Sequence, residues 1–443
     1  MRQRRTLALA IAAGALVLTP QVLDADNWPQ WRGPHFNGAS TETGLPSSWS
    51  KTENVVWAAD LPGPSAATPV IWGDRVFVST TDKEAKTLHA LCLDRQSGKV
   101  LWQEKVADTF GRDHLSNFAS PSPATDGKRV VFFYGNGELV TFDLAGKKLW
   151  ARSLAKDYGE FAFLWTFATS PVLHGGKLYL QVLQRDEPVN GRGRKDGPIE
   201  SYLLALDPAT GKELWRVVRP SDAVQESREG FTTPVPFEFN GRKELLVVGG
   251  DCLTGHDLES GKELWRWGTW NPSKIGHWRL VPSPAPGGGV VLACAPKGDP
   301  VYAIKAGGNG VLGDAGIVWK SDKERVVSSD VPTPTFYRGD FFVLGDVRKT
   351  MTRLEPQTGK VKWALELTGS KKFESSPTAA DGKLYMMDFA GVVFVVDADA
   401  GKLLQTIPMG EPGDDKTRST ISVSHGQLFI RTNTKLYCVA GKS

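Results

Sequence analysis

The chain has 443 residues, and its 47 glycines, 28 prolines and 15 tryptophans are typical of a protein built from strands and tight turns. No heptad pattern or long charged amphipathic stretch indicates extended helices. The 53 basic residues nearly balance the 49 acidic ones, for a net charge of +4, which argues against a nucleic-acid-binding surface.

The N-terminus has the pattern of a signal peptide. A basic cluster, Arg2, Arg4 and Arg5, precedes an apolar run over 7–18 that is too short to span a bilayer. We expect a signal peptide over 1–25, an exported protein in the periplasm or outside the cell, and no transmembrane anchor after its removal. The two adjacent arginines also loosely resemble a twin-arginine signal, so the export route stays open.

The reactive residue types do not form a familiar motif. Cys92, Cys252, Cys294 and Cys438 are too scattered for a disulfide framework, and buried small apolar side chains are the simpler interpretation. The seven histidines have no paired metal-ligand spacing, and neither a G-x-S-x-G motif nor a glycine-rich phosphate loop is present. We therefore expect no metal site from these patterns.

A repeat of 43 to 63 residues runs through the chain and predicts a ring of similar units. Most units open with a Ser/Thr-Pro pair, followed by apolar strands with two-residue alternation such as VFVST and LYLQV. A hairpin signal of the type LDPATGKELW ends most units, with an aspartate that caps the turn and a glycine for positive φ. Equivalent starts fall at Pro69, Pro123, Pro171, Pro234, Pro284, Pro334, Pro377 and Ile421.

Large aromatic side chains mark the last strand of the units. We expect them to be structural, each packing against the next unit. They are Trp57, Trp102, Trp150, Trp215, Trp265, Trp319 and Trp363, with Gln405 at the same position of another unit.

The two ends of the chain complement each other. The strand containing Trp57 has no inner strands before it, whereas the unit that starts at Ile421 ends before a fourth strand. Pairing the two would remove both sheet edges. The sequence therefore predicts an all-β fold, an eight-bladed β-propeller of four-stranded antiparallel blades over 54–443, closed by an N-terminal strand that joins the last blade.

Two stretches fall outside the repeat. Residues 26–53 contain too little periodicity for a domain, and we expect an extended segment lying across one face. The stretch QRDEPVNGRGRKDGPIE lengthens one unit and predicts an exposed hairpin tip.

The motif A-L-D-P-A-T-G-K-E-L-W at 205–215 resembles the tryptophan-docking repeat of the pyrroloquinoline quinone (PQQ)-like propellers. That family includes quinoprotein alcohol dehydrogenases and the lipoprotein that assists outer-membrane β-barrel assembly. The opening W-P-Q-W-R-G-P is similar to exported PQQ-like proteins of planctomycete-type bacteria. The resemblance implies the propeller fold over nearly all of the mature chain, and it leaves the activity open.

In such a ring, the loops that join one blade to the next gather around a central funnel, where a ligand or partner would bind. Guanidinium groups there could hold carboxylates, and Trp165 or Trp278 could stack on a flat ligand. The alternative is that these groups satisfy one another and the buried backbone. The candidates are Arg112, His114, Trp165, Arg228, Glu229, His277, Trp278, Arg279, Arg325, Asp330, Lys372, Glu374 and Arg418.

Two functions follow as expectations. The favoured one is a non-catalytic, monomeric scaffold of the cell envelope that binds a protein or peptide partner through the funnel and needs no cofactor. The alternative, implied by the resemblance, is a dehydrogenase of an alcohol or sugar that uses PQQ and calcium. Asp113, Glu229, Asp330 and Glu374 could supply oxygen ligands. The chain lacks the adjacent cysteines and the haem motif found in many such enzymes.

Overall fold

The computed structural model describes residues 27–111, 116–322, 327–412 and 414–441, so the expected signal peptide lies outside the described residues. Eight separate antiparallel sheets, arranged in chain order, confirm the eight-bladed β-propeller. The first strands of successive blades lie against one another near the axis. Each starts directly after one of the repeat positions read from the sequence.

The first four blades have these strands. Blade 1 contains Val70–Trp72, Arg75–Asp82, Thr87–Asp94 and Val100–Ala107, and blade 2 contains Ala124–Thr125, Arg129–Phe133, Glu138–Asp143 and Lys148–Ser153. Blade 3 contains Val172–His174, Lys177–Val182, Tyr202–Leu206 and Glu213–Val218. Blade 4 contains Val235–Phe239, Arg242–Gly249, Cys252–Asp257 and Glu263–Trp267, with Gly310–Leu312 added in parallel at its outer edge.

The other four blades complete the ring. Blade 5 contains Ala285–Gly287, Val290–Cys294, Val301–Lys305 and Ile317–Lys320, and blade 6 contains Thr335–Tyr337, Asp340–Gly345, Thr350–Leu354 and Val361–Glu366. Blade 7 contains Thr378–Ala380, Lys383–Met387, Val392–Asp397 and Leu403–Pro408. Blade 8 contains Ser422–Ser424, Gln427–Arg431, Lys435–Ala440 and, from the other end of the chain, Val55–Asp60. Short helices are Leu154–Tyr158 and the 3₁₀ turns Gln225–Arg228 and Asp314–Gly316.

The N-terminal strand closes the ring as expected. Val55–Asp60 pairs antiparallel with Lys435–Ala440, and Trp57 lies opposite Cys438. The backbone amide of Leu61 donates to Thr434 at 2.8 Å, which extends the pairing by one residue. All four cysteines, Cys438 included, are buried and unpaired.

The tryptophans of the outer strands lie over glycines of the neighbouring blade. A methyl group placed on any of these glycines would come within 2.4 to 2.7 Å of an indole carbon, so the contact requires the absence of a side chain. The hairpin glycine therefore has two roles, because its φ of +65° to +91° is also unfavourable for other residues. The pairs are Trp57 on Gly98, Trp102 on Gly146, Trp150 on Gly211, Trp215 on Gly261, Trp319 on Gly359 and Trp363 on Gly401.

Two blades depart from this pattern for visible reasons. Gln405 has no glycine to cover, because the last two strands of blade 8 come from opposite ends of the chain and no hairpin joins them. Its amide donates to Ser48 in the N-terminal segment instead. Trp265 donates to the buried carboxylate of Glu244 at 2.6 Å, and the added strand Gly310–Leu312 covers its outer edge.

A belt of hydroxyl groups joins the blades near the axis. In seven successive steps, the backbone amide of the Ser or Thr before one blade donates to the hydroxyl of the equivalent residue of the next, at 2.8 to 3.2 Å. These are the Ser/Thr residues of the repeated Ser/Thr-Pro pairs, so that pair has an inter-blade role. The belt consists of Thr68, Ser122, Ser170, Thr233, Ser283, Thr333, Ser376 and Thr420.

Residues 27–50 cross the end of the ring where the first two strands of each blade turn. Trp28 bridges to Ile71 of blade 1, and Ala39 bridges to Ala379 of blade 7. The buried guanidinium of Arg32 donates to the carbonyls of Pro334 and Pro377 at 3.0 and 3.1 Å. The segment thus ties blade 1 to blades 6 and 7.

Replacing Trp57 with alanine should lower the free energy of unfolding by about 3–5 kcal/mol, because the ring loses a buried indole at its closure. Urea unfolding measures the change. The matched control is Gln405→Ala, which alters the equivalent but exposed position of blade 7 and should cost well under 1 kcal/mol. Equal effects of the two substitutions would contradict the closure role of Trp57.

Candidate functional site

A cavity of about 490 Å³ lies on the axis of the ring. Its walls come from the loops that precede the first strands, including belt residues such as Ser122, Ser170 and Thr233. Trp31, from the N-terminal segment, lines it from the end opposite to these loops. The cavity is therefore a blind funnel, and its volume lies in the range of small-molecule and side-chain sites.

Six of the predicted residues line this cavity and others do not. Arg228, Glu229, His277 and Trp278 lie outside the lining. Arg112, His114 and Arg325 fall outside the described residues. The lining residues among the candidates are Trp165, Arg279, Asp330, Lys372, Glu374 and Arg418.

One side of the cavity contains a loosely held guanidinium. Arg279 lies between two carboxylates, with Nε 3.8 Å from Glu226 and Nη2 3.5 Å from Asp330. The indole of Trp165 donates to the same Glu226 oxygen at 3.0 Å. Asp330 is held more firmly, because the backbone amide of Lys297 donates to it at 2.8 Å. Arg279 thus keeps hydrogen-bond donors that a ligand carboxylate could use.

The other side contains a tighter ion cluster. Glu374 accepts hydrogen bonds from Arg418 Nε at 2.6 Å and from Lys372 Nζ at 2.7 Å. The Arg418 guanidinium also lies over the ring of Phe389, 5.4 Å from its centroid. One edge of Arg418 is therefore fixed, and its planar group has a defined orientation.

Glu229 supports the funnel wall from behind. Its fully buried carboxylate accepts from Arg185 Nε at 2.6 Å and from the backbone amide of Leu164 at 3.0 Å, next to Trp165. Burial raises the pKa of Glu229 to about 7, an effect that outweighs the opposing pull of Arg185. Glu229 is a positioning group for the wall.

The remaining candidates have other surroundings. Arg228 pairs with Asp186 at 2.9 Å, and His277 is exposed. Trp278 is buried, and its backbone amide donates to the Ser227 hydroxyl at 2.7 Å, so its ring is not available for stacking.

The insert in blade 3 is not simply an exposed tip. Arg185 contacts Glu229, and Arg192 donates to the carbonyl of Leu164 at 2.9 Å, so the insert packs on the funnel loops. Arg185 has a buried acceptor, which the polar composition of the stretch did not reveal.

Trp31, Lys297 and Glu226 are among the lining residues that the sequence interpretation missed. Trp31 lies in a segment without periodicity, and Lys297 lies in a turn between two strands of one blade. Glu226 comes from the loop sequence QESREGFTTP, but its proximity to Trp165 and Arg279 depends on the packing of three different loops.

The carboxylates do not fit a calcium site. Among the described residues, no three Asp, Glu, His or Cys side chains come close enough together to hold a metal ion. Glu229, Asp330 and Glu374 each face a cation, and Asp113 lies outside the described residues. The pair Asp397 and Asp399 belongs to a hairpin, in which Asp397 accepts the Asp399 amide at 2.9 Å. The cationic side chains and Trp165 would suit an anionic aromatic ligand.

The sequence of the chain matches a known protein family. The family model described as outer membrane protein assembly factor BamB matches residues 39–185, 200–306 and 253–443. The chain belongs to this PQQ-like propeller family. A polyvinylalcohol dehydrogenase from a Pseudomonas species is 23% identical over 249 residues, which is 54% of this chain and 35% of that protein. The match thus spans about a third of that relative's length.

Solved structures agree on the architecture. A europium-containing methanol dehydrogenase has a TM-score of 0.67 at 12% identity, covering 94% of this chain and 98% of that one. The quinohemoprotein alcohol dehydrogenase from Comamonas testosteroni gives 0.64 at 13%, covering 95% and 81%. BamB from Moraxella catarrhalis gives 0.58 at 13%, covering 87% and 99%. At these identities the likeness establishes the fold of this PQQ-like propeller and leaves its role open.

The helices in the described part of the chain are all short, and none of them could span a bilayer.

The raised pKa of Glu229 predicts a pH-dependent stability. The folded state binds the proton of the Glu229 carboxyl more tightly than the unfolded chain does. The contribution of Glu229 to the free energy of unfolding is therefore full below pH 4.5 and is lost as the pH rises to 7. Glu229→Gln removes this loss. The free energy of unfolding of the variant minus that of the parent protein should therefore rise by up to roughly 3 kcal/mol between pH 4.5 and pH 8.

Urea unfolding of both proteins across this range measures the trend. The exposed substitution Glu259→Gln is the control and should track the parent protein at every pH. A constant difference between Glu229→Gln and the parent would show that Glu229 does not titrate in this range.

Proposed function

We propose that this protein is a non-catalytic binding protein of the cell envelope, whose funnel holds a carboxylate-bearing group of a protein or peptide partner. The observation that carries the proposal is the pair of guanidiniums, Arg279 and Arg418, at a blind cavity beside Trp165. Among the described residues, the lining has four cationic side chains against three carboxylates, so one negative charge from a partner would balance these groups.

The strength of the internal ion pairs favours Arg279 as the acceptor of that charge. Its contacts with Glu226 and Asp330, at 3.8 and 3.5 Å, are longer than charge-assisted hydrogen bonds. A partner carboxylate could therefore form a bidentate pair with Arg279 without breaking a short bond. Trp165 would offer an apolar face next to it.

We propose the cell envelope as the location of the protein on the basis of its N-terminal pattern and its family. The basic cluster and apolar run at the N-terminus favour export. The family model bears the name of an outer membrane assembly factor, which favours a protein partner in the same compartment. We propose a monomer as the binding unit, because closure of the ring leaves no blade incomplete.

A quinone-dependent dehydrogenase is the second candidate. The similarity to a polyvinylalcohol dehydrogenase and the combination of Trp165 with cationic side chains favour it. PQQ would supply the redox chemistry, and Arg279 and Arg418 could hold its acidic groups. The carboxylates of the funnel are engaged with cations, so this candidate lacks a matched calcium site.

Arg279→Gln and Arg418→Gln should each weaken binding of the captured partner about 10- to 100-fold, because each removes a charged hydrogen bond worth roughly 1.5–3 kcal/mol. Affinity capture from envelope extracts identifies the partner, and titration of the purified pair measures the dissociation constant. Arg338→Gln, which removes an exposed arginine at the opposite end of the ring, should bind like the parent. Unchanged affinity in both funnel variants would overturn the proposal.

Titration with PQQ in the presence of calcium separates the two candidates. We expect no dye-linked oxidation of alcohols or sugars after PQQ and calcium are added to the purified protein. Tight PQQ binding with substrate-dependent dye reduction would instead establish the dehydrogenase.

A further inference from the structure

A second depression adjoins the funnel between blades 8 and 1. It has a volume of about 280 Å³ and shares Ala66, Ser116, Ser120 and Arg418 with the central cavity. From these shared residues it extends outward along Pro64, Lys83, Phe110 and Asn433. We call it the 8/1 groove. It connects the blind cavity with the rim on the funnel face.

Side-chain bonds to the backbone fix the walls of this groove. Asn117 donates to the carbonyl of Pro64 at 3.0 Å, and the Thr81 hydroxyl donates to the same carbonyl at 2.8 Å. The Ser65 hydroxyl donates to Ala119 at 2.7 Å, and Asn433 donates to Asp415 at 2.6 Å. These described residues of the groove would therefore need little further ordering when a chain binds.

The charges of the groove favour an anionic occupant. Among the described residues, its lining holds three cationic side chains, Lys83, Lys416 and Arg418, against one carboxylate, Asp415. Lys83 lies on the outer part, and Arg418 stands where the groove meets the cavity. Arg418 uses Nε for Glu374, and no further hydrogen bond joins its guanidinium to another described residue. Its terminal nitrogens remain donors for a group that arrives along the groove.

Because the cavity is closed at one end, it suits the terminus of a bound chain better than a loop that would have to enter and leave. Trp31 lines the cavity from the N-terminal segment that crosses the far end of the ring, so an extended segment that enters by the groove would end inside the funnel. An amino terminus would bring a positive charge next to Arg418 and Arg279, whereas a carboxyl terminus brings the negative charge that the lining lacks.

We propose that the 8/1 groove receives the extended carboxyl-terminal segment of a partner protein, which passes Arg418 and places its last side chain in the cavity and its terminal carboxylate at Arg279. This inference rests on the proposed binding function and adds the entry path, the polarity and the chemical group. Phe110 and Lys83 would contact residues nearer the rim, so they contribute to specificity.

A library of random seven-residue peptides displayed with free carboxyl ends tests the inference. We expect enrichment on the parent protein, and the selected peptide, made synthetically, should bind at least 10-fold more tightly as the free acid than as the amide. Ala66→Trp, which obstructs the junction of groove and cavity, and Lys83→Glu should each weaken binding at least 10-fold. Fluorescence anisotropy of the labelled peptide measures these constants.

Two matched substitutions control for general effects on folding. Ala85→Trp adds the same bulk at an exposed alanine beside the groove, and Lys99→Glu makes the same charge change away from it; both should bind like the parent. Absence of enrichment, equal affinity of acid and amide, or normal binding by Ala66→Trp and Lys83→Glu would overturn the inference. If Arg279→Gln loses the envelope partner while the groove variants retain it, the binding function stands and only the entry path is wrong.

Discussion

The pairing of the two chain ends is the constraint on which the molecule depends. Four strands of every blade but the last are local in sequence, so each could form alone, but a sheet with free edges is open to further pairing. Val55–Asp60 against Lys435–Ala440 removes that opening and fixes the number of blades. Trp57 then stacks on Gly98 of blade 1, so closure uses the same contact that joins most other neighbouring blades. The N-terminal strand therefore binds blade 8 through its backbone hydrogen bonds and blade 1 through Trp57.

Closure into eight blades also creates the site. Eight first strands around one axis leave a channel too wide for their own side chains to fill. The protein fills one end with residues 27–50 and holds the blades at a fixed spacing through the hydroxyl belt. What remains is a cavity whose base is polar and uncharged and whose mouth carries ion pairs. Position along the axis thus separates structural hydroxyl groups from groups that can recognise a ligand.

The sequence predicted the features that repeat and missed those that do not. The period, the docking tryptophans and the complementary ends are visible because each is repeated or mirrored in the chain. Of the loop residues that the repeat places near the axis, Trp165, Arg279 and Arg418 line the cavity. Trp278 was placed wrongly because burial under a neighbouring loop is not encoded by residue type. Trp31 and Lys297 were missed because each reaches the axis only through contacts distant in sequence.

Charge pairing decides what such a funnel can do. A carboxylate that binds a metal ion must keep its oxygens free of competing cations. In this protein Glu374 binds both Arg418 and Lys372, and Glu229 binds Arg185, so each carboxylate already has a cationic neighbour. The guanidinium of Arg279 is the group left with long contacts, and its natural complement is an anion. The propeller fold can thus serve redox chemistry where carboxylates at the mouth have no cationic neighbour. It can serve recognition of an anion where cationic side chains there lack a close carboxylate. Among the described lining residues the excess is basic, which favours recognition of a carboxylate.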